Sequence, residues 1–415
     1  MVNLKAENDF SKLREFIVNN AKTSIHKPSG MLKYNYVTPT CNVEAGSDDQ
    51  SNVSLRSTLG HYLQMYDWDA CFFSQAMTSI DINYLIEDVI ANFLNLKHAD
   101  GYIPRTVSPN RIWDTGDMCK PFLAQTLLFG YEKLKNQNYF KYINDLDCYL
   151  TFYERTRLDK SGLYTWRNVL ESGVDNNLAL IWPIEASKDE NKDIGIFPDS
   201  QLLAVDLNCY LYEEFRSMVI LAKVSNNNEL ASKYTHKAQS LMAKINNILY
   251  DTKEKFYFNV ERKSQEFVRI KSWTNLLPVV YNIADNMLSN SIIENFILNT
   301  NHFNQNSGLS SMSKAEVLYN QAKRGLYGRA IVSNWQGPMW ILPNALILRF
   351  LKNTNYKNEA LVIAKKVLNT VWNNIKTNGT MYENYNAHTG EALWAPQFMS
   401  WNSLCLELID FVENN

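Results

Sequence analysis

Apolar residues recur at helical spacing along most of this chain. Leu13, Phe16 and Ile17 mark one side of a first helix within residues 1–25, and Ile82, Leu85, Ile86, Val89, Ile90 and Phe93 mark another. Leu211, Phe215, Met218, Val219 and Ala222 follow, then Leu230, Tyr234, Ala238, Leu241, Ile245 and Ile248. A last long stripe carries Leu361, Ala364, Val367, Leu368, Val371, Trp372 and Ile375. Intervals of three and four residues place each set on one helix face, which must be covered by a neighbour. Strand signals are few: residues 255–260 and 266–270 predict one short hairpin.

The stretch 27–59 breaks the pattern with Pro28, Gly30, Pro39 and a polar run at 46–52, and Tyr34, Tyr36 and Tyr62 lie in or near it. So long a loop in a compact domain reads as a mobile lid over a site or as a plain insertion. A mostly helical domain of this size closes its stripes as a solenoid of helix pairs or as a closed double ring. No repeat of fixed period runs through the sequence, which weighs against the solenoid. Aromatic, acidic and Gly/Pro-rich clusters fall between the helices, and a ring gathers such loops at one end.

Composition narrows the choice. The 415 residues contain no linker-like tract, so one domain spanning 1–415 is expected. A net charge of -2 offers no basic field for nucleic acid. The polar N-terminus has no secretory apolar run, and no stretch approaches the roughly 20 apolar residues of a membrane span. Six scattered cysteines and six scattered histidines lack metal-ligand spacing. A cytoplasmic protein without metal or cofactor is expected, acting on a small molecule as a monomer or small homo-oligomer.

The densest chemistry is Glu171-Ser172-Gly173-Val174-Asp175-Asn176-Asn177, with Trp166 and Arg167 before it and Trp182 after it. Carboxylates move protons, amides bind hydroxyls, and aromatic faces cover the C–H surface of a pyranose. Five more clusters share this character. Tyr66-Asp67-Trp68-Asp69 opens a helix, where either acid could equally be a cap. Gly101-Tyr102-Ile103-Pro104-Arg105 is a turn, followed by Trp113, Asp114 and Lys120. Asp206-Leu207-Asn208 begins a helix and reads best as structural. Trp335-Gln336-Gly337-Pro338-Met339-Trp340 is either a packed corner or a stacking surface, and Glu383 to Glu391 runs on to Trp394 and Trp401.

These segments resemble, in order, motifs of glycoside hydrolase family 63 and the inverting trehalases. They are Trp-Asp-x-x-Phe, Gly-x-Ile-Pro-Arg, Glu-Ser-Gly-x-Asp, Asp-Leu-Asn, Trp-x-Gly-Pro-x-Trp and Glu-x-Tyr-x-x-x-Thr-Gly-Glu. The resemblance implies an all-α (α/α)6 toroid of about twelve helices, with the hairpin as a small β element. It also implies an inverting hydrolase with Asp175 as general acid and Glu383 as general base, two carboxyls about 6.5 to 9.5 Å apart. Trp68, Asp69, Trp335, Gln336 and Trp340 fall on sugar-pocket motif positions, and Gly173 and Asn176 beside the acid are expected substrate contacts; many members carry Arg where this chain has Gln336. Trp166 and Trp182 are expected to wall the acid, with Glu171 as the like charge that raises its pKa. Tyr36 and Trp394 are expected further contacts.

Compact members of the family include hydrolases of mannosylglycerate and glucosylglycerate, and this is the expected activity. Arg105, Arg216, Lys271 and Arg329 are candidate partners for a glycerate carboxylate. An α-glucosidase or trehalase acting on a neutral disaccharide, and a silent sugar-binding toroid, are the alternatives. An isomerase on a similar ring would need paired histidines. Glucose and mannose differ in one hydroxyl orientation, which the sequence leaves open.

Overall fold

The computed structural model describes residues 10–43, 61–112, 116–181, 201–328 and 332–415. Its helices are α1 (Ser11–Thr23), α2 (Asp67–Met77), α3 (Tyr84–Asn95), α4 (Leu123–Leu134), α5 (Ile143–Arg157) and the single turn α6 (Val169–Ser172). They continue with α7 (Val205–Val224), α8 (Asn228–Lys244), α9 (Leu277–Val280), α10 (Asn286–Ile292), α11 (Ile341–Leu351), α12 (Lys357–Asn378) and α13 (Cys405–Glu413).

Two kinds of helix follow from the residue pattern. α2 buries all of its residues and α11 nine of eleven, whereas α12 buries one stripe that includes Ala360, Ile363, Ala364, Val367, Leu368 and Val371. A helix apolar all round belongs inside, and a striped one belongs outside. The packing agrees: α2 contacts α4, α4 contacts α7, α7 contacts α9, and α9 contacts α11. α11 then contacts the 3-10 turn Trp401–Leu404, which packs back on α2. Outside this circuit α3 lies on α2 and α4, α5 and α8 on α7, α12 on α11 and α13, and α1 on α13. α4 is tied to α7 at its start, where Ala124 and Gln125 donate backbone N–H groups to the buried Glu214 carboxylate at 2.9 and 3.0 Å.

The expected hairpin is present as Asn259–Glu261 against Phe267–Val268, with Leu202–Leu203 added as a third strand. A second antiparallel sheet, which periodicity did not announce, joins Met339–Trp340, Tyr382–Tyr385 and Ala392–Pro396. Its strands have only two to five residues, too few for an alternating pattern to be visible. It sets Trp340 opposite Asn384 and Asn384 opposite Trp394.

Of the stretch expected as a lid, residues 36–41 are buried and tied to the fold. Tyr36–Val37 pairs with Ile25–His26, Thr40 bridges to Phe398, and Met399 donates its N–H to the Pro39 carbonyl at 2.7 Å. Residues 44–60 lie outside the described residues, as do Trp113, Asp114, Trp182 and Arg329.

Candidate active site

A cavity of about 240 Å³ opens where the loops around α2, α6, α11 and the second sheet converge. Trp68, Trp335 and Trp401 give it indole walls, and Asp69, Asp175 and Glu383 line it together with Arg105. Asp175 and Glu383 are 208 positions apart in the chain, and the fold brings both to this one space.

Each side chain is held by its own local structure. Asp67 and Asp69 differ in what they face. Asp67 accepts the Trp68 and Lys120 backbone N–H groups, both at 2.8 Å, and pairs with the Lys120 ammonium at 2.9 Å, all in the interior. Asp69, two residues further along α2, faces the cavity and accepts the Ser400 hydroxyl at 2.7 Å. Lys120 also lies 4.7 Å from the Trp68 ring centroid, so the cation supports the indole from behind.

The single turn α6 that precedes Asp175 is capped at one end by Asn168, whose side chain accepts the Glu171 N–H at 3.0 Å. At its other end Gly173 adopts φ +77°. A Cβ there would stand 2.7 Å from Lys120 Cε and 2.8 Å from Trp68 Cζ2. Only glycine fits both the conformation and the space. The chain then presents Asp175 to the cavity while Asn176 turns inward, accepting the Trp335 N–H at 2.8 Å.

Glu383 sits on Tyr382–Tyr385 and is 4% exposed. Burial pushes its carboxyl up to about 8; Ser333 and Tyr62 act in the opposite direction, and the charges of Asp175 and Asp69 add to the rise. Burial likewise pushes Asp69 up to about 7, against the Ser400 hydrogen bond. The cavity thus gathers carboxyls that hold protons near neutral pH. Arg105 and Trp401 contribute donors: Arg105 Nε and Trp401 Nε1 are buried with no hydrogen-bond partner among the described residues.

Several expected contacts stand elsewhere. Glu171 does not face Asp175. It is fully buried, binding Arg157 at 2.6 Å and the Met118 and Arg167 N–H groups at 2.9 and 2.6 Å, so the like charges at the cavity come from Asp175, Glu383 and Asp69 themselves. Trp166 is a core residue whose Nε1 donates to Asp206 at 2.9 Å, which also fits the structural role expected of Asp206. Tyr36 is buried against His26. Trp340 stacks on Trp335 at 3.7 Å and supports it from below.

Gln336 is enclosed. Its Oε1 accepts from Asn320 Nδ2 and from the Leu326 and Tyr327 N–H groups, and its Nε2 donates to the Asn176 and Tyr327 carbonyls. The amide organises the loop around 320–327, where a guanidinium could not accept. Arg216 is on the surface with Glu213, Lys271 pairs with Glu254, and Trp394 lies under Lys323 outside the cavity lining. Missed altogether were Thr106, Leu170, Ser333 and Phe398, lining residues with no charge or spacing to mark them; their only signal was adjacency to the Arg105, Glu171, Trp335 and Trp401 clusters.

Residues 62–401 match the family described as mannosylglycerate hydrolase MGH1-like glycoside hydrolase domain. A probable mannosyl-oligosaccharide glucosidase of Schizosaccharomyces pombe is 24% identical over 227 residues, 51% of this chain but 27% of that protein. The family 63 mannosylglycerate hydrolase of Thermus thermophilus, solved with glucose, has a similar fold: TM-score 0.72 at 16% identity, covering 96% of this chain and 99% of that one. Neutral trehalase Nth1 of Saccharomyces cerevisiae gives 0.62 at 13% identity, covering 84% and 72%. The helix-rich fold is therefore shared with family 63 hydrolases and trehalases. The chain belongs to this MGH1-like glycoside hydrolase domain family, and is a glycoside hydrolase.

Proposed function

We propose that this protein is an inverting α-glycoside hydrolase that releases a hexose from a small α-linked hexoside, with mannosylglycerate or glucosylglycerate as the preferred substrate. Asp175 protonates the leaving oxygen while Glu383 takes a proton from the water that attacks the opposite face of the sugar. The observation that carries this reading is the convergence of Asp175 and Glu383, from distant parts of the chain, on one indole-walled cavity. The circuit of packed helices supports a single catalytic domain built as an (α/α)6 double ring. Six free cysteines support a reducing, cytoplasmic setting.

The glycerate part of the proposal draws on the fold shared with the mannosylglycerate hydrolase and on Arg105, the cationic side chain in the cavity lining among the described residues. Its guanidinium is near Asp175, where the leaving group must emerge. The test is a panel of α-glucosides and α-mannosides of glycerate, glycerol and glucose. Release of glycerate with a kcat/KM well above that for trehalose or kojibiose supports the proposal. Equal or faster turnover of the neutral disaccharides assigns the protein to the glucosidase reading. Asp175→Asn and Glu383→Gln should each lose activity by at least about 100-fold, the usual scale of general acid–base contributions.

A further inference from the structure

We infer that Ser333, backed by Tyr62, is the positioning residue for the Glu383 carboxylate: a chain of two hydroxyls that aims the base and favours its ionised form. The inference rests on the reading of Glu383 as the base. Ser333 Oγ lies 3.2 Å from Glu383 Oε2 and 3.4 Å from Oε1, so a single hydroxyl proton is shared across the carboxylate. Tyr62 Oη lies 3.2 Å from Ser333 Oγ on the other side. With Ser333 donating to Glu383, the serine lone pairs are left to accept from the phenol, and all protons point toward the base.

The surroundings show why such a chain is needed. Glu383 faces Asp175 from the turn after α6, Asp69 from α2, and the phenols of Tyr62 and Tyr66 from the segment before α2. Arg105 lines the same cavity, but its attraction is spread over Asp67, Asp175 and Asp117. Two acids and burial therefore drive a proton onto Glu383, and the hydroxyl pair is the local counterweight. Tyr62 is itself fixed. Its N–H donates to Thr40 Oγ1 at 2.7 Å, and its ring meets Tyr66 and Phe398 edge-on at 6.0 and 5.7 Å. Burial raises the phenol well above its ordinary pKa, which keeps it a donor.

The chain also suits the reaction's proton balance. As the water oxygen bonds to the anomeric carbon, one water proton passes to Glu383. The glycosidic bond breaks, and its oxygen takes the Asp175 proton. Once Glu383 is neutral, rotation of the Ser333 hydroxyl lets the same contact reverse, with the carboxyl donating and the serine accepting.

The experiment measures kcat/KM against pH, with melting temperature, for the parent, Ser333→Ala, Ser333→Thr, Tyr62→Phe, the Ser333→Ala/Tyr62→Phe pair, Glu383→Gln and Asp175→Asn. Ser333→Ala should lower kcat by about tenfold or more, leave KM within about twofold, and move the alkaline limb upward by about one pH unit, the scale of one hydrogen bond to a charged group. Ser333→Thr should restore the limb. Tyr62→Phe should shift it less and in the same direction, with the pair shifted further than Ser333→Ala alone because Tyr62 also acts on the Glu383 carboxyl itself. A Ser333→Ala limb at the parental pH, with parental melting and with Glu383→Gln and Asp175→Asn both inactive, overturns the positioning role and leaves the base assignment standing. Parental activity in Glu383→Gln removes the base itself, and the inference with it.

Discussion

Lys120 places its ammonium 2.9 and 3.0 Å from the two Asp67 oxygens, with neither side chain more than 1% exposed, directly behind the Trp68 indole. The pair fixes the start of α2, and with it the side chains of Trp68 and Asp69 that line the cavity. Burying two charges is costly, so such a pair adds less to stability than to geometry. Removing one partner is another matter. Lys120→Met leaves Asp67 buried without its counter-ion, and we expect a loss of about 3 kcal/mol or more in chemical unfolding. A variant that unfolds like the parent would show that the ion pair does not hold this corner.

Gly173 tests the same corner from the opposite side. Gly173→Ala must accommodate φ +77° and a methyl group at 2.7 to 2.8 Å from Lys120 and Trp68. The expected result is a kcat/KM reduced by about tenfold or more with the helical circular-dichroism spectrum intact, because a shift of about 1 Å or less at Trp68 misaligns the sugar. Parental kcat/KM would mean that the indole is not part of the binding surface.

The buried carboxyls predict a pH dependence of stability. Glu383 ionises near 4.5 in the unfolded chain and near 8 in the folded one, so between these values the folded state binds more protons. Stability therefore falls as pH rises from about 4.5 to about 8, and Asp69, raised to about 7, adds to the decline. Glu383→Gln removes the larger share. At pH 8 it should melt above the parent by on the order of 2 °C or more, and at about pH 4.5 the difference should vanish. Equal melting temperatures at about pH 8 would contradict the raised proton affinity of this carboxyl.

The same coupling shapes the activity profile. The charge of Asp175 adds to the rise at Glu383, and in the proposed mechanism the active form carries one proton between the two. We expect kcat/KM to fall on the alkaline side with an apparent pKa near 8, where that last proton leaves. A profile that stays flat to about pH 10 would rule out a shared proton.

How much of this was legible in the sequence depended on which face of a helix meets water. α3, α8 and α12 carry polar residues on their outer sides, so their stripes stood out, whereas α2 and α11 are enclosed and show no contrast to read. The acids at the site were legible through motifs, but the roles of their neighbours were not. Glu171 and Gln336 have the chemistry of ligand-binding groups and spend it on Arg157 and on the 320–327 loop. Their direction depends on partners distant in the chain, Met118 for Glu171 and Asn176 for Gln336, which residue type alone does not reveal. Ser333 is the converse case, an ordinary serine whose position against Glu383 depends on a contact across 50 residues.

The most direct measurement follows the anomeric proton signals by NMR during the first minutes of hydrolysis of an α-glucoside or α-mannoside that the enzyme accepts. In the proposed mechanism a water between the two carboxyls attacks from the face opposite the leaving group, so the β anomer should accumulate first and mutarotate afterwards. Initial release of the α anomer would mean that Glu383 or Asp175 bonds to the sugar directly, and would contradict the account.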